Sequence, residues 1–278
     1  MAELDALLDT AIDLAERAGR TTLGQFRTGV RPDWKEDDTP VTVADREAET
    51  LVRHELGRIH PDHAVVGEEF GVQDGTSPYR WWIDPIDGTK AFVRGVPTYG
   101  VLIGLERDGT PVAGVAAFPA LGETIAAALG RGCRLNGRRC FVSDVSDLAR
   151  AAVSTTDAGA FAPLGREAAW NRLSRASWIR AGWGDAYGYA LVASGRIEVM
   201  ADPALHPWDA APFPVILSEA GGWFGDWSGR AGMHGGEGLA TNAALRDTVL
   251  RTLADASDAS GTAAGDTVPG GEPDTLTP

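Results

Sequence analysis

Trp81-Trp82-Ile83-Asp84-Pro85-Ile86-Asp87-Gly88-Thr89-Lys90 joins an apolar run to two carboxylates and a turn. Residues 81–83 predict the end of a buried strand. Pro85 cannot donate to a sheet ladder, so the strand is expected to stop there. Asp87-Gly88 predicts a turn, and residues 89–94 suffice for a short helix. Two carboxylates thus sit three residues apart where a strand gives way to a helix. Hard cations take oxygen ligands, and Mg²⁺ usually binds one or two carboxylates while leaving sites for a substrate phosphate. The amides of Gly88, Thr89 and Lys90 would be unpaired at the helix start, where an anion is favoured. An aspartate that merely caps a helix is the commoner use of Asp-Gly-Thr, and the segment alone supports both about equally.

Around this segment the chain has 278 residues, 44% of them hydrophobic, enough for one large domain or two smaller ones. A net charge of -14 argues against a nucleic-acid or anionic membrane partner. It permits a phosphorylated substrate, because a bound divalent metal reverses the local field. No apolar run approaches the roughly 18 residues of a membrane span, and no basic-apolar-small secretory pattern opens the chain. A cytoplasmic enzyme is the expectation. Cys133 and Cys140 flank the hairpin signal Asn136-Gly137, which sets them opposite each other. A disulfide is geometrically conceivable, and free thiols are expected in a reducing compartment.

Upstream, residues 3–27 predict an amphipathic helix, and Val41-Thr42-Val43-Ala44-Asp45 leads into a second that runs through roughly Ile59, with Asp45 in its first turn. Lys35 lies in the polar loop between them. Residues 64–66 predict a strand running into Gly67-Glu68-Glu69, so acidic residues end two apolar strands that can be neighbours. This repetition favours a metal site over a chance turn. Downstream, strands are expected at 100–106, 112–118 and 123–129, in an antiparallel or mixed sheet. A break falls near 143–150. Strands at 151–154, 178–180 and 197–200 follow, with a loop or helix over 164–173. Helices are expected after Asp185, from Pro207 to about Ala220, and over 243–253. From Ala254 onward large apolar side chains are nearly absent, which predicts a disordered tail over 254–278. The halves are expected to be 1–146, carrying the acidic motif, and 147–253, carrying Asp209. His54, His60, His63, His206 and His234 show no ligand spacing, though His206 is close to Asp209.

Gly67-Glu68-Glu69, Asp84-Pro85-Ile86-Asp87-Gly88-Thr89 and Trp208-Asp209 followed by Glu219-Ala220-Gly221-Gly222 together resemble the inositol monophosphatase family. The resemblance runs from the first helix to about residue 253. It implies an α+β fold, an αβαβα layered sandwich, and hydrolysis of a small phosphate monoester by in-line attack of a metal-activated water. It further implies two or three Mg²⁺ ions per active site, inhibition by Li⁺, and a homodimer. By resemblance the metal ligands are Glu68, Asp84, the carbonyl of Ile86, Asp87 and Asp209. Thr89 and Asp45 would orient the attacking water, and the amides of Gly88 and Thr89 would bind the phosphate. Lys35 matches a loop lysine of some members.

Gly184-Asp185, with Lys90 and Arg94 near the motif, is similar to the histidinol-phosphate phosphatase branch of that family. Histidinol phosphate carries an ammonium and an imidazole, so its pocket should offer acceptors. Asp185 and Asp202 lie in stretches that surround the substrate in the family. A helix cap at Asp185 and a strand-end turn at Asp202-Pro203 are the structural alternatives. Trp183, Tyr187 and Tyr189 could wall an imidazole, although aromatics near a helix start are more often core. An inositol or broad sugar-phosphate phosphatase is the rival activity, and an RNA- or protein-binding regulator the rival from another class.

Overall fold

The computed structural model describes residues 2–29, 31–34 and 40–254. Lys35 and residues 255–278 lie outside them, so neither the loop lysine nor the tail beyond Ala254 is described. Helix α1 (Ala2–Gln25) precedes the short pair β1 (Asp33–Trp34) and β2 (Pro40–Val41), then helix α2 (Val43–Ile59). Strands β3 (Ala64–Gly67), β4 (Gly71–Gln73) and β5 (Tyr79–Asp87) lead into α3 (Thr89–Arg94). Strands β6 (Gly100–Arg107), β7 (Thr110–Phe118), β8 (Glu123–Ala128), β9 (Arg134–Leu135) and β10 (Arg138–Arg139) follow. Next come β11 (Ala152–Ser154), α4 (Glu167–Ala176), β12 (Ile179–Ala181), α5 (Asp185–Ala193) and β13 (Val199–Asp202). The remainder is α6 (Pro207–Ala210), α7 (Phe213–Glu219), β14 (Gly222–Gly225), β15 (Gly238–Asn242) and α8 (Arg246–Ala254).

Eight strands form one sheet in the order β10-β9-β8-β7-β6-β5-β3-β4, and five form a second in the order β12-β11-β13-β15-β14. Every pairing in the larger sheet is antiparallel except β3 beside β5, which is parallel. Strand periodicity divides its side chains between two cores. Val101, Ile103 and Leu105 pack with Leu7, Leu14, Val52 and Leu56 of α1 and α2. Leu102, Ala116 and Phe118, on the opposite face, pack with Tyr189, Phe213, Ile216 and Leu217 of α5 and α7. Phe224 and Ala240 of the smaller sheet complete that middle core. Val153, Val199 and Leu239 cover its far side against Trp170, Leu173 and Val249 of α4 and α8. The result is an αβαβα layered sandwich of α+β class.

Two strand glycines bring the middle helices down onto the large sheet. A Cβ on Gly104 would lie 2.4 Å from Ala211 Cβ, and one on Gly114 would lie 2.2 Å from Pro212 O. Only a residue without a side chain admits this approach, and it seats the α6–α7 connection just past Asp209.

The structure departs from the sequence expectations at several points. Pro85 does not end its strand. Pairing of β5 with β6 is interrupted between Asp84 and Asp87, then resumes at Asp87↔Gly100, so the proline occupies an irregularity that needs no N–H. The helix expected from Pro207 to about Ala220 is two helices, α6 and α7. Pro212 and Pro214 have no N–H for the carbonyls of Trp208 and Ala210, and the continuous ladder fails there. Strands β4, β14 and β15 were not foreseen, being short or glycine-bounded, and the last helix starts at Arg246. Ala254 ends that helix rather than opening a tail. The Asn136-Gly137 turn forms as expected, both residues at positive φ, and the two thiols are free with Sγ atoms 3.4 Å apart.

Candidate active site

Parallel register sets up the acidic pair of the first half. Val66 is opposite Trp82 and Gly67 opposite Ile83, so Glu68 and Asp84 are the next residues on adjacent strands. Glu68 N donates to Ile83 O at 3.2 Å across that junction. Asp84 is buried, and its Oδ1 accepts from Ile86 N at 3.0 Å, which folds Pro85-Ile86 back on the strand. Gly88 follows with φ of 77°, a left-handed conformation that glycine adopts without strain, and α3 begins at Thr89. The amides of the first turn of α3 have no partner within the helix.

From the second half, α6 contributes Asp209, whose Oδ2 accepts from His206 N at 3.0 Å. Side-chain oxygens of Asp84, Asp87 and Asp209 all lie within 4.8 Å of one another. Glu68 stands outside that trio but close enough for its charge to act on Asp84 and Asp209. Burial, then the charges of Glu68, Asp87 and Asp209, push Asp84 well above the usual carboxylate range. Burial, then Asp185 and Asp209, do the same to Asp87. Burial raises Asp209 to about 6. Such crowding of buried negative charge, with no lysine or arginine paired to Asp84, Asp87 or Asp209 among the described residues, fits a divalent cation, which would relieve it.

Asp45 stands beside the cluster in the first turn of α2. Its Oδ2 accepts from Thr42 N at 2.7 Å and Thr42 Oγ1 at 2.6 Å, so it does cap its helix. Its Oδ1 is buried without a hydrogen-bond partner, and burial raises the group to about 6. Thr89 Oγ1 donates to Ile86 O at 3.1 Å. No hydrogen bond joins Thr89 to Asp45 among the described residues.

Asp185 and Asp202 line one cavity of about 200 Å³ with Asp87, Asp209 and Lys90. Their circumstances differ. Asp202 Oδ1 accepts from Thr156 N at 2.8 Å and Thr155 Oγ1 at 3.1 Å, and Oδ2 accepts from Tyr189 OH at 2.8 Å. Asp185 has φ of 41° and does not cap α5, whose N-cap is Gly184. Its carboxyl reaches over Gly88, 3.0 Å from where a Cβ there would lie. Burial, then Asp202, raise Asp185 to about 7, and Lys90 opposes them. Of the three aromatics considered as a wall, Tyr189 is core, Tyr187 OH donates to Glu123 at 3.3 Å, and Trp183 remains 50% exposed. His206 stacks on Trp208 at 4.9 Å.

Two supports escaped the sequence reading. Ala186 N donates to Asp87 Oδ2 at 2.6 Å, tying the start of α5 to the cluster. Glu49 is fully buried in α2, where Arg53 Nε donates to it at 2.6 Å. It also accepts from Glu69 N at 2.8 Å and Phe70 N at 3.3 Å, and so holds the turn that carries Glu68. Gly67 makes room, since a Cβ there would lie 2.0 Å from Glu49 Oε1. The (i, i+4) pair Glu49–Arg53 was the available signal.

The sequence model of the inositol monophosphatase family matches residues 3–258. The chain is 42% identical over 245 residues to the histidinol-phosphatase of Chlorobaculum parvum, covering 87% of this chain and 95% of the relative. It is 41% identical over 249 residues to the histidinol-phosphatase of Mycobacterium tuberculosis, covering 87% and 96%. Among solved structures, the extragenic suppressor protein suhB of Bartonella henselae superposes with a TM-score of 0.84 at 28% identity, covering 90% of this chain and 99% of the other.

Proposed function

That this chain belongs to the inositol monophosphatase family is the premise from which we propose its reaction: Mg²⁺-dependent hydrolysis of L-histidinol phosphate to L-histidinol and phosphate, a step of histidine biosynthesis. The chain is a histidinol-phosphatase-like phosphoric monoester hydrolase. The observation that carries the choice of ester is Asp185, a buried carboxylate without a hydrogen-bond donor among the described residues, overhanging the phosphate end of the site. Aspartate enters left-handed backbone more readily than most residues, so the signal is its buried carboxyl, raised to about 7 by burial and by Asp202. An ammonium group on the substrate would satisfy it. A neutral polyol could donate hydroxyl hydrogen bonds to the carboxylate but would leave its charge unneutralised.

In this proposal Glu68, Asp84, Asp87, Asp209 and the Ile86 carbonyl hold two or three Mg²⁺ ions. Bound metal supplies positive charge to the phosphate oxygens and lowers the pKa of a water. The chain's own groups do the rest. The amides of Gly88, Thr89 and Lys90 hold the non-bridging oxygens. Thr89 spends its hydroxyl proton on Ile86 O, so its lone pairs remain to accept from the attacking water. The unpartnered Oδ1 of Asp45 accepts the other proton of that water and fixes its line of approach. Because Asp202 already accepts from three donors while no donor reaches the Asp185 carboxyl among the described residues, Asp185 takes the ammonium, and Asp202 acts by its charge and by holding residues 155–156.

The test is turnover of L-histidinol phosphate against inositol 1-phosphate by purified protein with Mg²⁺. A higher kcat/KM on histidinol phosphate is expected. Faster turnover of the inositol ester reverses the assignment.

A further inference from the structure

Beyond the acidic cavity the site opens into a second one of about 980 Å³. The two are continuous, sharing Lys90, Asp185, Thr156 and Asp157 as lining residues. The larger cavity contains two indoles, Trp34 from β1 and Trp183 from the loop before α5. Trp34 is 66% exposed and Trp183 50%. Among the described residues neither ring stacks on another aromatic or lies under a guanidinium, although fifteen other ring pairs do form. Among the described residues, two large apolar surfaces facing one cavity are thus left without an aromatic or guanidinium partner.

Trp183 is also held against its preference. Its φ is 57°, in the left-handed region that bulky side chains avoid. The conformation is kept by Trp183 N donating to Thr156 O at 3.1 Å and Gly184 N donating to Thr155 O at 3.2 Å. These bonds anchor the loop to the strand end that Asp202 also grips. The strained tryptophan is therefore fixed relative to Asp185, two residues on.

The reach of the substrate completes the argument, which rests on the histidinol phosphate reading. Three carbons separate the ester oxygen from the imidazole, roughly 5 Å when extended at about 1.5 Å per bond. A phosphate on the α3 amides and an ammonium at Asp185 would direct the ring past Asp185, a residue that both cavities share. The larger cavity is the space on that side. We propose that Trp34 and Trp183 form an aromatic slot that stacks the imidazole ring and so selects a ring-bearing amino-alcohol phosphate over an aliphatic one. Val93 and Val96 of the same cavity give the slot an apolar wall. Stacking of a heteroaromatic ring, cationic when protonated, on an indole face is favourable in either charge state.

The test compares L-histidinol phosphate with 2-aminopropyl phosphate, which keeps the ammonium and lacks the ring. The variants are Trp34→Leu and Trp183→Asn, the latter because asparagine tolerates left-handed backbone. Each should raise KM for histidinol phosphate about 3- to 10-fold and leave kcat/KM for 2-aminopropyl phosphate within about twofold. Trp183→Phe, which keeps a ring, should recover most of the loss. Inhibition by L-histidinol should weaken in parallel. Equal losses on both esters, or no loss on either, would overturn the slot while the wild-type preference for histidinol phosphate over inositol 1-phosphate stood. Absence of that wild-type preference would overturn the function reading, and the slot with it.

Discussion

The end of β13 and the start of α5 each bring a carboxylate to the same cavity, and the two are built in opposite ways. Asp202 closes a regular strand and is surrounded by donors from Thr155, Thr156 and Tyr189. Asp185 opens a helix from a strained backbone, with only the opposing charge of Lys90 to offset its burial. A buried charge with donors on both oxygens belongs to the scaffold. One that is desolvated, strained and short of donors is expected to meet a ligand. Asp84, Asp87 and Asp209 stand with Asp185 in this respect, since each is raised by burial and by other carboxylates.

The contrast breaks most visibly at the cluster. Asp84→Asn should lower kcat by about 10³-fold or more while raising the melting temperature of the metal-free protein, because it removes a buried charge that other carboxylates crowd and no described cation neutralises. Calorimetry in EDTA beside an activity assay checks both. A fall in stability of the metal-free variant would mean that the carboxylate's bond from Ile86 N outweighs the relief of the crowded charge.

Asp185 and Asp202 should then separate. Hydrogen bonds to charged groups contribute about 1.5–3 kcal/mol, so Asp185→Asn should cut kcat/KM on histidinol phosphate roughly 10- to 100-fold. Its effect on a neutral phosphate ester should be a few-fold. Equal losses on both would make Asp185 structural. Asp202→Asn should instead destabilise the fold by about 1–3 kcal/mol, because an amide cannot accept from all its donors, with similar proportional losses on both esters. Denaturant unfolding of the two variants distinguishes them.

The smallest effect is on pH dependence. Asp45 and Asp209 are raised from 3.8 to about 6, and Asp185 from 3.8 to about 7. Between these limits the folded chain binds more protons than the unfolded one, so stability falls as pH rises. The metal-free protein should therefore melt several degrees lower at pH 8 than at pH 5, and saturating Mg²⁺ should flatten the slope. A slope unchanged by Mg²⁺ would assign it to the overall charge of -14 instead.

Much of the fold was legible because its signals are periodic. The alternation in β6 and β7 and the stripes of α1 and α2 are bound to two-faced burial, and the acid-ended strands 64–67 and 79–87 proved to be parallel neighbours. What could not be read depends on tertiary contact. Pro85 is tolerated because β6 skips the pairing there. Glu49 looks like an ordinary helix-surface acid until the turn at Glu68 closes over it. The site residues were proposed from the family resemblance, and the structure brings Asp84, Asp87 and Asp209 together with Glu68 and Asp45 nearby. Nothing local distinguishes Asp185 from Asp202. Their difference lies in φ and in donors supplied by Thr155, Thr156 and Tyr189.

The convergence of carboxylates on a divalent cation is tested most directly by a crystal grown with Mn²⁺ and measured at its absorption edge. The account expects an anomalous peak bounded by oxygens of Asp84, Asp87 and Asp209, at distances near the ~2.1 Å of magnesium-type coordination. A map with no peak at that cluster, in crystals whose enzyme is active with the same metal, would contradict it.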